Sequence, residues 1–288
     1  MINDLFYNQI RKYNTSSIEA IKNAMKETLQ NIILVGISKS DFFKYCAFYG
    51  GTSLRIFRNL PRFSEDLDFT LVENKDDFKF SDYTKYIEIE LNSLGLEYKI
   101  NTKEKNIEIS VESIYFNFNL KSLFNISFKE YENQIIDNEL LSIKIEIEKK
   151  YFDGGITELK LLTYPSFAQI RTFSIETLFA SKLIAILNRK WKARVKGRDY
   201  YDYLFYISLG TKVNLIFLEN GLKKFGYLEC NEKLSLERLK KDLIDKFESV
   251  DFNSALNDVK KFVDANDQIT KSFNKDIFIS SVDLIKAF

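Results

Sequence analysis

Two aspartates at alternate positions, Asp66 and Asp68, follow a glycine pair in the first quarter of the chain. Their neighbours Leu67 and Phe69 are apolar, so the segment alternates as a strand does, and both carboxylates are expected on one face. Two such carboxylates repel each other unless a cation lies between them. A divalent metal ion, with triphosphate oxygens completing its coordination, would satisfy that need.

The glycine pair belongs to the segment Gly50-Gly51-Thr52-Ser53, which predicts a turn from a strand into a helix. Glycine lets backbone N–H groups approach an anion at the start of a helix, and Thr52 and Ser53 would add hydroxyl donors. The alternative is an ordinary turn followed by an edge strand with solvated acids. We favour the functional interpretation because both features occur together.

Composition excludes several other chemistries. The 288 residues include no His and only two cysteines, Cys46 and Cys230, which lie far apart in sequence. A Ser-His-Asp triad, a Cys-His nucleophile pair and an imidazole or four-cysteine metal site are therefore excluded. Any metal ion is expected to be hard and oxygen-bound, of the Mg²⁺ type. The net charge of +1 predicts no global attraction to nucleic acid, so any basic patch must be local.

A third carboxylate is expected from the segment 140–148. From Ile143 onward this segment alternates strictly, with isoleucines on one face and Lys144, Glu146 and Glu148 on the other. Glu146 lies in the middle of the predicted strand and is our candidate for the acid that deprotonates an attacking hydroxyl or joins the metal site, with Glu148 in reserve. The alternative is a half-exposed strand with cross-strand charge pairs.

Cations are concentrated in the segment from Lys182 to Arg198, which contains seven of them and no acid. Lys182 lies among apolar neighbours, and a lysine there could hold a triphosphate and stabilise departing pyrophosphate. Arg189, Lys192, Arg194 and Arg198 could guide an RNA backbone. The alternative for the segment is a solvated basic turn between two helices.

Arginine is scarce, because the chain has 33 Lys and only nine Arg. Six of the nine lie in two short windows, one containing Arg55, Arg58 and Arg62 and the other beginning at Arg189. Guanidinium groups suit bidentate binding of phosphate or carboxylate, so phosphate contact and internal pairing with nearby Asp are both open for each one.

Two further acids, Asp199 and Asp202, are three residues apart and are expected on one helix face. They could form part of a catalytic cleft. Alternatively, one or both could bind Arg198 or Lys182 and orient it; we expect one acid of each kind.

Residues 50–69, Gly-Gly-Thr-Ser-Leu-Arg and then Pro-Arg-Phe-Ser-Glu-Asp-Leu-Asp-Phe, resemble the AbiEii/AbiGii abortive-infection toxins. These are nucleotidyltransferases of the DNA polymerase β-like superfamily, which use a glycine turn, an Asp-x-Asp strand and a later carboxylate. The sequence Arg-Asp-x-x-Asp after a basic segment resembles the family's C-terminal motifs. Here Tyr203-Leu204 follows the second Asp, where many relatives have Leu directly.

The resemblance implies a role for each matching residue. The implied catalytic set is Asp66, Asp68, Glu146, Lys182, Asp199 and Asp202, with Asp66, Asp68 and Glu146 holding Mg²⁺ or Mn²⁺. The implied nucleotide-binding set is Gly50, Gly51, Thr52, Ser53, Arg62, Ser64 and Lys182, with an NTP as substrate.

The predicted fold class is α+β. Residues 1–163 are expected to form a polymerase β-like nucleotidyltransferase domain with a mixed sheet, and residues 164–288 a helical C-terminal domain. A capping box at Ser16-Ser17-Ile18-Glu19 predicts a helix over 16–31, and a cap at Ser174 predicts one over 174–189. Hydrophobic patterns predict further helices over 52–59, 83–94, 199–209, 215–225, 234–247 and 254–263. They predict strands over 42–48, 66–72, 98–102, 107–115, 124–128 and 140–148.

The predicted function is a toxin that transfers NMP from NTP to an RNA acceptor, with the tRNA 3′ end as the favoured target, and so inhibits translation. The alternatives are a small-molecule or protein acceptor and a GTP-binding regulator without transfer. The family implies a winged-helix repressor as antitoxin. Few cysteines, no apolar run long enough for a membrane span and no export signal predict a cytoplasmic protein.

Overall fold

The computed structural model describes residues 2–13, 15–73, 75, 77–103, 111–189, 195–263 and 266–288. The chain folds into two compact units. The first comprises Met1–Thr52, Ser64–Tyr151 and Leu159–Thr172, and the second comprises Ser53–Phe63, Phe152–Glu158 and Phe173–Phe288. Neither unit is one continuous segment. The division at residues 163 and 164 stays a prediction.

Seven strands form a mixed sheet in the order β3-β4-β5-β2-β1-β7-β6, and two short strands pair separately in the described residues. Strand β2 runs antiparallel to β1 and parallel to β5, and β5 is antiparallel to β4. The strands are β1 (Cys46–Tyr49), β2 (Asp66–Leu71), β3 (Lys99–Lys103), β4 (Val111–Asn119), β5 (Leu140–Glu148), β6 (Thr157–Leu162), β7 (Ala168–Phe173), β8 (Lys212–Val213) and β9 (Lys286–Ala287).

Helices account for most of the remaining described chain, and none of those described is long and apolar enough to cross a bilayer. They are α1 (Ile2–Ile10), α2 (Ile18–Ser38), α3 (Phe42–Tyr45), α4 (Gly50–Arg58), α5 (Thr84–Ser93), α6 (Leu120–Ser127), α7 (Ile175–Asn188), α8 (Gly197–Ser208), α9 (Leu215–Lys224), α10 (Leu236–Glu248), α11 (Phe252–Val259), α12 (Gln268–Lys271) and α13 (Lys275–Ser281).

Side-chain capping explains where several helices begin. The Ser17 hydroxyl accepts a hydrogen bond from the Ala20 N–H at the start of α2, and Ser174 does the same for Thr177 at the start of α7. The predicted capping signals at both places are confirmed, although the first cap is Ser17 and α2 extends to Ser38.

Each unit has its own aromatic core. In the first unit the ring of Phe42 contacts five others, at centroid distances of 5.0 to 6.0 Å: Phe43, Phe69, Phe78, Phe80 and Tyr83. In the second unit, Tyr200 and Tyr203 of α8 pack on Phe247, and Phe252 stacks on Phe278. Such buried rings supply much of the apolar area that stabilises each unit.

The strand predicted over 140–148 is confirmed at both ends, and β2 ends one residue earlier than predicted. Apolar side chains recur at every second position of both segments, and that spacing has no helical equivalent.

Two strand predictions were wrong. Residues 124–128 lie largely in α6, where buried Leu120, Leu123 and Phe124 follow helical spacing and the Asn119 side chain caps the helix. Residues 42–45 form the helical turn α3, and only Cys46 onward is strand. A short aromatic run fits either period, so its tertiary neighbours decide the outcome.

Other differences concern strands that were not predicted from the sequence. Strand β7 lies after Pro165, where only helices were predicted, and β6 was not predicted. The strand predicted over 107–115 falls partly outside the described residues, and its end lies in β4.

Gly36 of α2 provides a test of how closely the helices of the first unit pack. A Cβ at this position would lie 2.8 Å from the Ile87 Cα of α5, which is backbone and cannot turn aside. A Gly→Ala change inside a helix ordinarily stabilises by about 1 kcal/mol. We expect Gly36→Ala instead to lower the free energy of unfolding by ~1–3 kcal/mol, measured by urea denaturation.

The matched control is Gly221→Ala in α9, where the added Cβ would meet the movable end of the Ile184 side chain. This variant should be the less destabilised of the two. Equal stability of Gly36→Ala and the wild type would contradict the close packing of α2 on α5.

Candidate functional site

The pairing of β2 with β5 places the predicted acids on neighbouring strands of the first unit. In this parallel register Asp68 is aligned with Glu146, and Asp66 is aligned with Lys144. The side chains between them, including Leu67 and Ile145, are fully buried on the other side of the sheet. We call the side that carries Asp66, Asp68, Lys144 and Glu146 the acidic face.

Strand β4 extends the acidic face on the far side of β5. Its antiparallel register aligns Ser113 with Glu146 and Tyr115 with Lys144. The Ser113 hydroxyl donates to Glu146 Oε1 at 3.3 Å. Two polar rows therefore cross three strands, one through Asp68, Glu146 and Ser113 and the other through Asp66, Lys144 and Tyr115.

Lys144 is the cation of the acidic face. Its Nζ lies 2.5 Å from Glu146 Oε1 and 5.9 Å from the centroid of the Tyr115 ring. Partial burial by itself would lower the pKa of Lys144, but the Glu146 and Asp66 carboxylates outweigh it and the pKa rises above its ordinary value. Lys144 was predicted from sequence to lie on the same strand face as Glu146, but no role was predicted for it.

Gly50 allows the Asp68 carboxylate to lie against the turn. Gly50 has a φ of +79°, and the position of its missing Cβ is taken up by Asp68 Oδ2. Any other residue would be strained in its backbone and would also displace the carboxylate. The predicted glycine turn is thus coupled directly to one of the predicted metal ligands.

The hydroxyl of Thr52 is engaged inside the first unit, where it donates to the backbone carbonyl of Asp66. This bond ties the first turn of α4 to the beginning of β2. Gly51, Thr52 and Ser53 are all buried. The phosphate-binding role inferred for these residues therefore stays a prediction that would rest mainly on backbone N–H groups.

Gln30 of α2 is a site-supporting residue that the sequence analysis missed. Its Nε2 donates to the backbone carbonyls of Ser64 and Glu65 at 3.1 and 2.9 Å. Lys26, one turn earlier, forms an ion pair with Glu65 at 3.1 Å. These contacts fix the segment that leads into Asp66. No sequence signal marks Gln30, because its partners are backbone atoms more than thirty residues away.

The donor set of the acidic face suits a hard divalent cation, since it consists of carboxylate oxygens on adjacent strands. Over the described ranges, however, no three His, Cys, Asp or Glu side chains are grouped closely enough to hold a metal ion. Glu146 is instead bound by Lys144 and Ser113. The backbone register fits a metal site, whereas the Glu146 side chain is committed to other partners.

The second unit contains a buried network of five charged side chains. Arg62 binds Asp202 through two parallel hydrogen bonds, of 2.6 and 2.7 Å. Lys182 Nζ lies 2.9 Å from Asp202 and 2.8 Å from Asp199, and Arg189 completes the network by binding Asp199. Both acids and Arg62 are almost fully buried, whereas the Arg189 side chain is 37% exposed.

The charges of this network hold one another ionised. Burial would raise the pKa of Asp199, but Lys182 and Arg189 outweigh it and the pKa lies well below its usual range. The pKa of Asp202 is lowered in the same way, chiefly by Arg62 and Lys182 against burial. Burial would lower the pKa of Lys182, yet the two acids raise it. Three cations and two acids leave one positive charge in excess.

The remaining predicted cations have internal partners or lie outside the described residues. Arg55 donates to the carbonyls of Leu60 and Pro61, and Arg58 pairs with Glu158. The guanidinium of Arg198 lies 4.3 Å from the Phe262 ring centroid. Of the three arginines in the first window, Arg62 has the Asp partner that one alternative expected, whereas Arg58 pairs with a Glu and Arg55 binds backbone carbonyls. The RNA-binding candidates Lys192 and Arg194 lie outside the described residues.

Asp258 fixes the beginning of α8, the helix that carries Asp199 and Asp202. The carboxylate of Asp258 accepts a hydrogen bond of 3.0 Å from the Gly197 N–H at the first turn of the helix. A carboxylate there also interacts favourably with the helix dipole. No sequence motif marks Asp258, because its partner Gly197 lies 61 positions away in the chain.

The network of the second unit predicts a large effect for Asp202→Asn. The substitution would leave Arg62 buried without its carboxylate partner, so we expect the free energy of unfolding at pH 7 to fall by ~3–5 kcal/mol. Because both acids have lowered pKa values, their stabilisation is complete above pH ~4 and is lost as pH falls further. The wild type should therefore lose stability more steeply than the variant below pH ~4, as followed by circular dichroism.

Asp245→Asn is the control, since Asp245 is exposed on α10 of the same unit. Its free energy of unfolding should stay within ~0.5 kcal/mol of the wild type. Asp202→Asn behaving like this control would contradict the network.

Comparison with known proteins concerns the fold and the family of the chain. Two solved structures are similar to the chain in fold. One is MenT4, a nucleotidyltransferase toxin from Mycobacterium tuberculosis, with a TM-score of 0.59 and 13% identity over 98% of this chain and 88% of that one. The other is JHP933 from Helicobacter pylori, with a TM-score of 0.52 and 18% identity over 91% of this chain and 90% of that one.

No curated protein sequence matches this chain. A family model does: residues 32–275 match the nucleotidyl transferase AbiEii toxin of type IV toxin–antitoxin systems. The matched range contains the acidic face and the charged network, and the fold class predicted from sequence is confirmed. The chain therefore belongs to the AbiEii family of nucleotidyltransferase toxins.

Proposed function

We propose that the acidic face is the metal site of a divalent-cation-dependent nucleotidyltransferase. Asp66, Asp68 and Glu146 would hold Mg²⁺ or Mn²⁺, and an NTP would be the nucleotidyl donor. The observation that carries this proposal is the parallel register of β2 and β5, which aligns Asp68 with Glu146 two positions from Asp66. Family membership supports it, because nucleotidyltransferases generally use an NTP and a divalent metal ion.

The bound ion would neutralise charge that develops on the phosphate oxygens during transfer. The protein's own part is to orient the groups. Gly50 leaves room for the Asp68 carboxylate, and the Thr52 hydroxyl holds the β2 backbone at Asp66. Backbone N–H groups at the start of α4 would bind phosphate oxygens, with Gly51 and Ser53 among them.

Glu146 is the better candidate for the third acid. It is aligned with Asp68, whereas Glu148 is aligned with Thr70 and accepts a hydrogen bond of 2.8 Å from the Lys150 N–H. In the proposed reaction Glu146 would join the metal site or take the proton of the attacking hydroxyl. That hydroxyl attacks the α-phosphate in line, forming a new P–O bond as pyrophosphate leaves.

The charged network of the second unit would contribute positive potential. Lys182 is the proposed triphosphate contact, and its two acids would hold the ammonium group at a fixed position. Asp199 and Asp202 would thus act as positioning residues for Lys182, and Arg62 would be the counter-ion of Asp202. Groups held in this way need no reorganisation when charge develops on a substrate.

RNA is the acceptor we propose, with the tRNA 3′ end as the favoured target. The support is the acid-free cationic segment from Lys182 to Arg198, in which Arg189 is partly exposed. A polyanionic acceptor would be attracted to such a segment, and affinity would fall with salt.

Membership of a type IV toxin–antitoxin family implies that the protein has an antitoxin partner. We propose that this partner is a winged-helix repressor encoded beside it, and that the pair acts in phage defence by abortive infection. The proposed site of action is the cytoplasm, where NTP and tRNA are available.

Asp68→Asn tests the metal site. Replacing one carboxylate by an amide removes a charged ligand and keeps the shape, so we expect transfer of label from α-labelled NTP to fall at least about a thousandfold. Growth inhibition on expression should disappear with it. Circular dichroism and thermal unfolding would show that the variant is folded.

Asp82→Asn, an exposed change in the same unit, is the control and should keep full transfer and toxicity. Undiminished transfer by Asp68→Asn would overturn the metal-site assignment.

The acceptor is identified by incubating the wild type with labelled NTP and total cellular RNA, protein and small-molecule fractions separately. Label in tRNA that is removed by trimming the 3′ end supports the proposal. Label in protein or in a small molecule would replace RNA as the acceptor. Nucleotide binding with no labelled product in any fraction would favour a GTP-binding regulator.

A further inference from the structure

Lys144 lies on the acidic face, next to the groups to which a metal ion would bind. The β2 register aligns it with Asp66, and the β4 register aligns it with Tyr115. On its own strand it is two residues from Glu146, so both side chains emerge on the same side. A lysine in this position is surrounded by acids on two strands.

The contact between Lys144 and Glu146 engages the third acid. Lys144 Nζ lies 2.5 Å from Glu146 Oε1, and the same oxygen accepts the Ser113 hydroxyl. The two charged side chains are only 24% and 26% exposed, so water screens this pair less than it would a surface pair. In this arrangement the Glu146 carboxylate is bound by Lys144.

We propose that Lys144 is a built-in counter-ion that holds Glu146 in the metal-free protein and releases it when the divalent ion binds. The inference rests on the proposed metal site and adds a competitor to it. It explains why the described acids are aligned by strand register and yet are not grouped as a metal centre. Lys144 is thus a positioning residue that acts through Glu146.

Charge balance gives the reason for such a device. Asp66, Asp68 and Glu146 carry three negative charges on one half-buried face, and like charges at this spacing repel one another. The ammonium group of Lys144 offsets one of them before the metal ion arrives. A divalent ion brings two more positive charges, so the face with metal and Lys144 together is neutral. Lys144 would then remain beside Asp66 while Glu146 turns to the metal.

Competition of this kind predicts that removing the ammonium strengthens metal binding. Lys144→Met keeps the length and apolar stem of the side chain and frees Glu146. We expect the dissociation constant for Mn²⁺, measured by calorimetry without nucleotide, to fall about five- to tenfold. Lys144→Arg, which retains the charge, should bind Mn²⁺ like the wild type.

Lys149→Met is the matched control, since Lys149 pairs with Glu112 at 2.8 Å in the same unit, away from the acidic face. Its Mn²⁺ affinity should equal that of the wild type. A general effect of lost positive charge would strengthen binding in both variants and would overturn the specific role of Lys144.

A double-mutant cycle with Glu146→Gln tests whether Lys144 acts through Glu146. In the Glu146→Gln background, Lys144→Met should change the Mn²⁺ affinity less than twofold, because the competed ligand is gone. An undiminished effect in that background would overturn the proposed route.

The cycle also separates this inference from the proposed function. Wild-type binding that Asp68→Asn abolishes, together with unchanged or weakened binding by Lys144→Met, would refute the counter-ion role and leave the metal site intact. No Mn²⁺ binding by the wild type would refute both.

Discussion

The parallel register between β2 and β5 is the constraint on which the candidate site depends. It sets Asp68 beside Glu146 and Asp66 beside Lys144, while Leu67 and its neighbours are buried on the opposite side of the sheet. A shift of one residue would reverse which side chains face the core, so burial of the apolar side chains fixes the position of the acids. The same packing that stabilises the sheet therefore brings the candidate catalytic carboxylates together.

In the second unit, by contrast, most of the charged side chains of the candidate site are buried and paired with one another. Arg62, Lys182 and Arg189 share Asp199 and Asp202 in a network that offsets the cost of desolvating each group. Such a network can be retained for the geometry it enforces, and here it holds Lys182 at two carboxylates. The residues that resemble the family's C-terminal motifs thus form ion pairs with one another. Any contact with substrate would be made by side chains that these ion pairs already hold in place.

Sequence alone revealed the elements with strict alternation or clear caps, namely β2, β5 and α7. It also predicted Asp66 and Asp68 on one face of their strand and Glu146 on the polar face of another, because side-chain direction along a strand follows from sequence spacing. That both faces lie on the same side of the sheet follows only from the pairing of β2 with β5. It could not reveal that Lys144 binds Glu146 or that Gln30 holds the Ser64 carbonyl, since those contacts depend on strand neighbours and on backbone atoms. The strand predictions for the short aromatic segments were wrong for a related reason, because packing partners distant in sequence decided between helix and strand.

The most direct measurement is the location of Mn²⁺ by anomalous diffraction from crystals grown with Mn²⁺ and a non-hydrolysable NTP. We expect an anomalous peak within bonding distance of the Asp66 and Asp68 carboxylates, with Glu146 turned away from Lys144 towards the ion. A peak elsewhere on the protein, with the acidic face unchanged, would contradict it.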